Sequence, residues 1–325
     1  MKRLCFPGSA RIQRPMSDSH APRPHYYRLS GLCVASQFAL PMRSSLAEEE
    51  AGPPDVTFSL GEIPSSLAEV THRGASWMAN ADRFLLDLPK IGRFLSEGGK
   101  RVTVAPAPGV PLEDILVFVT GTAFAAILYQ RGALLLHASA VVHQGRAHVF
   151  CAPSGTGKST LAGALVDAGA TFLADDVCAI EQRGHHPVVR ADGRCLRLYP
   201  DSIDQVGLRA GVGARVRKRL DKFHVAIEQP AADTAPLGAI FMLGNSNAGS
   251  PPGITRLPPL AAAQALLRET YRRRLALAYS SQSGLAMGVA TLLSRVPVFH
   301  LRRPRDFDCL GASIAMIHAH WAELD

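Results

Sequence analysis

A chain of 325 residues with 47% hydrophobic and 19% charged side chains is long enough to bury a sizeable core, which excludes a disordered, collagen-like or disulfide-stapled class. The formal charge of +8 invites anionic ligands, but no nucleic-acid-binding motif accompanies it, so nucleic acid is not an expected partner. Six cysteines without a C-x-x-C pair or a histidine at ligand spacing exclude a zinc ribbon and fit reduced thiols in a cytoplasmic setting.

Residues 1–25, rich in Pro, Arg, Ser and His, read as a disordered stretch or a leader. Met1-Lys2-Arg3 is followed by only Leu4-Cys5-Phe6 before Pro7, too little apolar sequence for a signal peptide, and Met16 offers a second start. Residues 26–110 predict a small β-rich N-terminal region. An apolar stretch from Tyr26 to Pro41 suits a strand, and Ala47 to Pro54 reads as a loop. Short alternations follow at Val56–Leu60, Arg83–Pro89 and Arg101–Val104. Ala105 to Pro111, punctuated by prolines and a glycine, marks a boundary, and residues 111–325 predict the catalytic domain.

The rhythm then changes. Leu112 to Gln130 predicts a helix whose apolar run, Ile115 to Tyr129, is short for a membrane span and carries Thr120 and Thr122; a buried core helix fits better, with no membrane contact. Leu134–Val142 and Ala147–Cys151 predict strands, Ser159–Ala168 a helix and Thr171–Ala174 a strand, together a βαβ unit. Leu237–Leu243 and Pro297–Leu301 predict further strands, separated by helices at Leu260–Tyr271 and Leu285–Arg295, with Gly244–Gly253 a polar loop. There is no internal repeat.

Chemistry concentrates between His137 and Asp176. Ala152-Pro153-Ser154-Gly155-Thr156-Gly157-Lys158-Ser159-Thr160 follows a strand and opens a helix, the context a G-x-x-x-x-G-K-[ST] phosphate loop needs. Small residues let backbone N–H groups wrap phosphate oxygens, and the helix N-terminus adds donors and dipole. Lys158 can reach the β- and γ-phosphates, the Ser159 hydroxyl can ligate Mg²⁺, and Ser154, Gly155, Thr156, Gly157 and Thr160 complete the cradle for ATP. Ala152 replaces the first glycine of the pattern. Asp175 and Asp176 end the next strand, where one carboxylate can hold Mg²⁺ and the other accept a proton. His137 on an apolar strand suits a core residue as well as a catalyst.

The stretch from Leu134 to Asp176 resembles the catalytic core of the HPr serine kinase/phosphorylase family, itself related in fold to phosphoenolpyruvate carboxykinase. That family has a histidine upstream of its loop lysine and an Asp-Asp pair closing the next strand. The resemblance implies a mixed central sheet, a metal-supporting Asp175, a proton-accepting Asp176 and a place for His137 beside the transferring phosphoryl group. It is looser over residues 177–310 and absent over residues 1–110. The glycine-rich segment that follows the Asp-Asp pair in kinases of HPr is missing. Cys195–Ser202 stands there instead, closer to the shorter relatives of peptide-modification clusters, including kinases of lasso peptides. Asp201 supplies the missing metal carboxylate or simply caps Ile203 onward, and Arg197 is a phosphate contact or part of the same junction. Lys222 and the basic residues 215–219 suit the γ-phosphate, an acidic peptide or plain solvent. The expectation is an α/β ATP-dependent serine kinase acting on a peptide or small protein; a small-molecule phosphotransferase, a carboxykinase-like enzyme and a non-catalytic ATP-binding module are the alternatives. The family's hexameric assembly is not carried over, though a homo-oligomer is compatible.

Overall fold

The computed structural model describes residues 23–42, 46–184, 186–217, 220–227 and 233–324. Nearly all of the expected leader, along with Lys218 and Arg219 of the basic loop, lies outside the described residues.

Among the described residues the N-terminal part forms an 8-stranded sheet. Its strands are β1 (His25–Leu29), β2 (Leu32–Ser36), β3 (Val56–Leu60), β4 (His72–Arg73), β5 (Trp77–Ala79), β6 (Arg83–Leu88), β7 (Gly92–Glu97) and β8 (Arg101–Pro106). The order is β1-β2-β3-β8-β7-β6-β5-β4, parallel where β3 meets β2 and β8 and antiparallel elsewhere. The expected strand at 26–41 is a hairpin, and the expected loop at 47–54 contains one helical turn, α1 (Glu48–Ala51). The turn closes because the Ala47 carbonyl accepts both Glu50 and Ala51 N–H groups.

The next segment is continuous in direction: α2 (Leu112–Phe118), a π-helical turn at Val119–Ala123 and α3 (Phe124–Gln130). A helix apolar on all sides must be covered on all sides. Leu112–Gln130 has the length and composition to cross a membrane, yet 72% of its apolar window is buried inside the molecule. It packs with one face of the N-terminal sheet in a shared core of Phe58, Phe84, Phe94 and Phe124. The π turn frees carbonyls that other elements take up: Ser96 donates its hydroxyl to Ala123 O at 2.8 Å, and Arg194 donates to Thr120 O at 3.0 Å.

The strand expected over 134–142 is broken. β9 (Leu134–Leu136) and β10 (Ala138–His143) part at His137, whose N–H donates to Glu269 O at 2.8 Å. β11 (Arg146–Cys151) leads through the glycine loop into α4 (Lys158–Asp167) and then β12 (Thr171–Ala174). Beyond them lie β13 (Cys178–Arg183) and β14 (His186–Arg190). A small sheet unread in the sequence pairs β15 (Leu196–Leu198) with β17 (Leu220–Val225), and β17 with β16 (Val212–Arg217); α5 (Pro200–Gln205) lies between β15 and β16 in the chain. β18 (Thr234–Asn245), β19 (Gly253–Arg256) and β20 (Val298–Arg303) complete the central sheet, ordered β12-β10-β11-β18-β14-β13-β9, with β20 beside β18 and β19 beside β20.

The expected βαβ unit needs correction. β11 and β12 run in the same direction but are not neighbours; β10 lies between them, antiparallel to both. Helices cover both faces, as a largely buried sheet requires. α4 and α9 (Leu310–Ala322) lie on one side, around Phe150, Phe172, Phe241 and Trp321. α6 (Pro259–Glu269) and α8 (Gln282–Leu293) lie on the other, around Val149, Ile240 and Leu266, with α7 (Arg273–Tyr279) against α3. α9 was not read in the sequence, although its buried Leu310, Ser313, Ile317 and Trp321 recur at helical spacing. The molecule is therefore of mixed α/β class.

Candidate functional site

The topology of β10 assembles the site. Because β10 is antiparallel to both neighbours, its start meets their ends: Ala138 pairs with Cys151 and Ala140 with Ala174. His137 and Ser139 therefore lie where the glycine loop leaves β11 and where Asp175-Asp176 leave β12. Ligands of α/β sheets gather outside the carboxyl ends of such strands.

The loop turns tightly. Gly155 and Gly157 have φ of +81° and +89°, a region that side chains resist. Gly157 is the N-cap of α4, and no side chain caps it, which leaves the first amides of the helix pointing outward. Lys158 is only 6% exposed; its ammonium reaches back to Ala152 O at 2.5 Å and Pro153 O at 3.3 Å. Burial lowers its pKa, opposed by the nearby charges of Asp175, Glu269 and Asp176. Thr156 closes the loop from within, its hydroxyl donating to Pro153 O at 2.8 Å.

Asp175 is buried and held by three donors. Its Oδ1 accepts the Ser139 hydroxyl at 2.6 Å and the Ser159 hydroxyl at 2.9 Å, and its Oδ2 accepts Arg197 N–H at 3.2 Å. One strand and one helix thus aim the same carboxylate at the start of the loop helix.

Asp176 has φ of +75°, a conformation that costs roughly 1–3 kcal/mol in a non-glycine residue and persists only where the surroundings impose it. The twist turns its carboxylate back to the cleft. Arg197 Nη1 donates to Oδ2 at 3.2 Å, and His137 Nδ1 lies 3.0 Å from the Asp176 carbonyl oxygen and 3.4 Å from Oδ1. A carbonyl only accepts, so Nδ1 carries the proton and Nε2 is left to face other chemistry. Burial pushes the Asp176 carboxyl up, but the fields of Arg197, Arg194, His137 and Lys158 together outweigh it and hold its pKa below the usual range.

A cleft of about 550 Å³ joins these groups. It is lined by His137, residues 154–160, Asp175 and Asp176, so the residues given a chemical role in the sequence around the loop converge there, while Ala152 and Pro153 stay off its lining. Asp201 lines it as well, but its Oδ1 accepts the N–H of Ser202 at 2.7 Å in the first turn of α5. Ser202 in turn shares a hydrogen bond of 3.0 Å with Thr160, tying α5 to the loop helix. Tyr199, 43% exposed, forms part of the wall, with the Lys222 ammonium 4.7 Å from its ring centre.

Several contributors were missed by sequence reasoning. Ser139 was unremarked in its apolar strand; a hydroxyl at a strand start beside the loop was the available signal. Arg303 and Arg305 belong to a basic stretch whose sequence gives no link to the loop, yet both donate to carbonyls of the glycine loop. Arg194 is a fully buried partner of Asp192 at 2.7 Å and adds to the positive field on Asp176.

No protein-family model matches the chain. No curated protein matches it either. Among solved structures, the HPr(Ser) kinase/phosphatase from Coxiella burnetii is similar over 58% of this chain and 97% of that one, with 11% sequence identity and a TM-score of 0.32. At that level the likeness is distant, and the roles of the site residues rest on their own geometry.

Proposed function

We propose that this chain is an ATP-dependent serine kinase that transfers the γ-phosphoryl group to a serine hydroxyl of a peptide or small protein, a class that includes lasso-peptide precursors. One observation carries the reading: an uncapped helix start with a buried lysine faces two consecutive carboxylates, one locked by hydroxyls and one twisted toward the opening. A nucleotide-binding module without chemistry has no use for the strained Asp176 and its ring of cations.

The donor set suits Mg²⁺. Ser159 Oγ and Asp175 are hard oxygen donors 2.9 Å apart, and Mg²⁺ typically takes one or two protein oxygens and completes its shell with phosphates and water. Asp201 is a further oxygen donor on the same cleft wall. When bound there, the ion neutralises phosphate charge. The chain's own groups do the rest. Lys158 and the loop amides bind the β- and γ-phosphates. Asp176 accepts a hydrogen bond from the serine hydroxyl and orients it in line. The serine oxygen bonds to the γ-phosphorus as the bond to the β,γ-bridging oxygen breaks, releasing ADP, and the hydroxyl proton passes to Asp176. Its low pKa makes it a modest base, which suits phosphoryl transfer, where positioning counts for more than proton abstraction. His137 and Arg197 hold that carboxylate, and His137 Nε2 lies beside the transferring group.

The test is incubation with γ-labelled ATP and Mg²⁺, with serine-bearing peptides and with cell extract. Label on peptide or protein serine is the expected result. Label confined to small metabolites overturns the choice of acceptor, and ATP binding without any transfer overturns catalysis.

A further inference from the structure

We propose that Arg303 and Arg305, which line the same cleft, are positioning residues that strap the glycine loop, binding its carbonyls so that its amide N–H groups are free for a phosphate before any arrives. The inference rests on the reading of the loop as a phosphate site and adds a device to it.

Three contacts carry it. Arg303 Nη2 donates to Thr156 O at 3.4 Å and to Gly157 O at 3.3 Å, and Arg305 Nη2 donates to Gly155 O. In a trans peptide the C=O and the next N–H point in opposite directions. Holding the Thr156 carbonyl toward β20 therefore turns the Gly157 N–H the other way, into the anion nest, while the Gly157 carbonyl is aimed by the helix as well, accepting Leu161 N–H at 2.9 Å. Thr156 N–H keeps a long contact of 3.4 Å with Pro153 O, so the N–H of Gly157 gains most.

The burial of Arg303 points the same way. It is 6% exposed and makes no ion pair among the described residues, and its Nε has no partner there. A guanidinium is costly to bury unless its donors are used, and among the described residues Arg303 donates to Pro304 O and to two loop carbonyls. The fit also explains a glycine: a Cβ on Gly157 would lie 2.8 Å from Arg303 Nη2. Any larger residue pushes the strap off. Two cations at the loop also raise the positive potential that phosphate meets.

The experiment compares the full chain with Arg305→Gln, Arg303→Lys and Arg303→Gln. Arg305 is exposed, and Arg303→Lys keeps the charge while losing the planar fork, so neither is expected to unfold the protein. Hydrogen–deuterium exchange is followed over residues 153–161, and tripolyphosphate binding is measured by calorimetry without divalent cations. We expect faster exchange in that segment only, and a loss in tripolyphosphate affinity of about ten-fold or more for Arg303→Lys, the size of one hydrogen bond to a charged group. The loss persists at 1 M salt, where the screening length is about 3 Å, because the strap acts through geometry. Wild-type exchange rates in the loop of all three variants overturn the strap, and so does a binding loss that vanishes in high salt. Failure of wild type to bind tripolyphosphate or ATP instead overturns the phosphate-site reading, and the exchange measurement then still decides the strap.

Discussion

Replacing Asp176 by Asn separates chemistry from folding. Asn enters the left-handed region about as readily as Asp, so the φ of +75° is tolerated and the change isolates charge. The main loss is the charge-assisted bond from Arg197 at 3.2 Å, between side chains 13% and 28% exposed. Such a bond contributes roughly 1.5–3 kcal/mol, and the Asn oxygen retains a neutral version of it, leaving a net cost of about 1–2 kcal/mol. The His137 contact at 3.4 Å is too long to add a full bond. Turnover falls far more, by roughly 10²–10⁴-fold, if Asp176 takes the acceptor proton. The pH dependence has a definite sign. The folded-state pKa lies below the ordinary 3.8, so the carboxylate's stabilisation is fully present above that value and is lost as pH falls through the folded value. The assay is label transfer from γ-labelled ATP, ATP affinity by calorimetry, and thermal melts from pH 7 to pH 3. Wild-type and variant melting points should differ by a few degrees at pH 7 and converge in acid. Equal turnover in both proteins would refute the mechanism. An ATP affinity lowered more than ten-fold would place Asp176 on the nucleotide, and a melting gap unchanged at pH 3 would sink the electrostatic argument.

Two further outcomes follow from the same geometry. Ser139→Ala removes the 2.6 Å bond that orients Asp175; Mg·ATP affinity should drop several-fold while metal-free ATP binds as before, and equal loss in both titrations would show that Ser139 serves only the strand. Tyr199→Ala removes the exposed ring beside the Thr160–Ser202 link. If the adenine of ATP stacks on this ring, it gains roughly 1–3 kcal/mol against about 0.5–1 kcal/mol for the exposed cation–π contact of Lys222, and displaces it. ATP affinity should then fall by about five-fold or more with tripolyphosphate binding unchanged; unchanged ATP affinity places the base elsewhere.

The loop and the Asp-Asp pair were legible because each depends on adjacent residues. Gly155, Gly157, Lys158 and Ser159 act through one turn of backbone, and a strand before and a helix after suffice to recognise them. The helix at 112–130 was legible for a similar reason, since an unbroken apolar run must be buried wherever it goes. His137 was ambiguous because its strand was misread. Its backbone N–H donates to Glu269 O, far along the chain, where β9 parts from β10, and its ring lies against Asp176.

What lies beyond local pattern was decided by strand order. The sequence by itself determined a tight glycine turn entering a helix, two carboxylates closing a strand and a core of mixed α/β elements. It could not show that β10 lies between β11 and β12, which is what delivers Ser139 and His137 to the carboxyl ends of both. Nor could it show Arg303 and Arg305 on the carbonyls of the loop, about 150 residues away in the chain. Periodicity records which side of an element is buried. Which element lies on that side is a matter of packing between distant segments, and only the folded chain settles it.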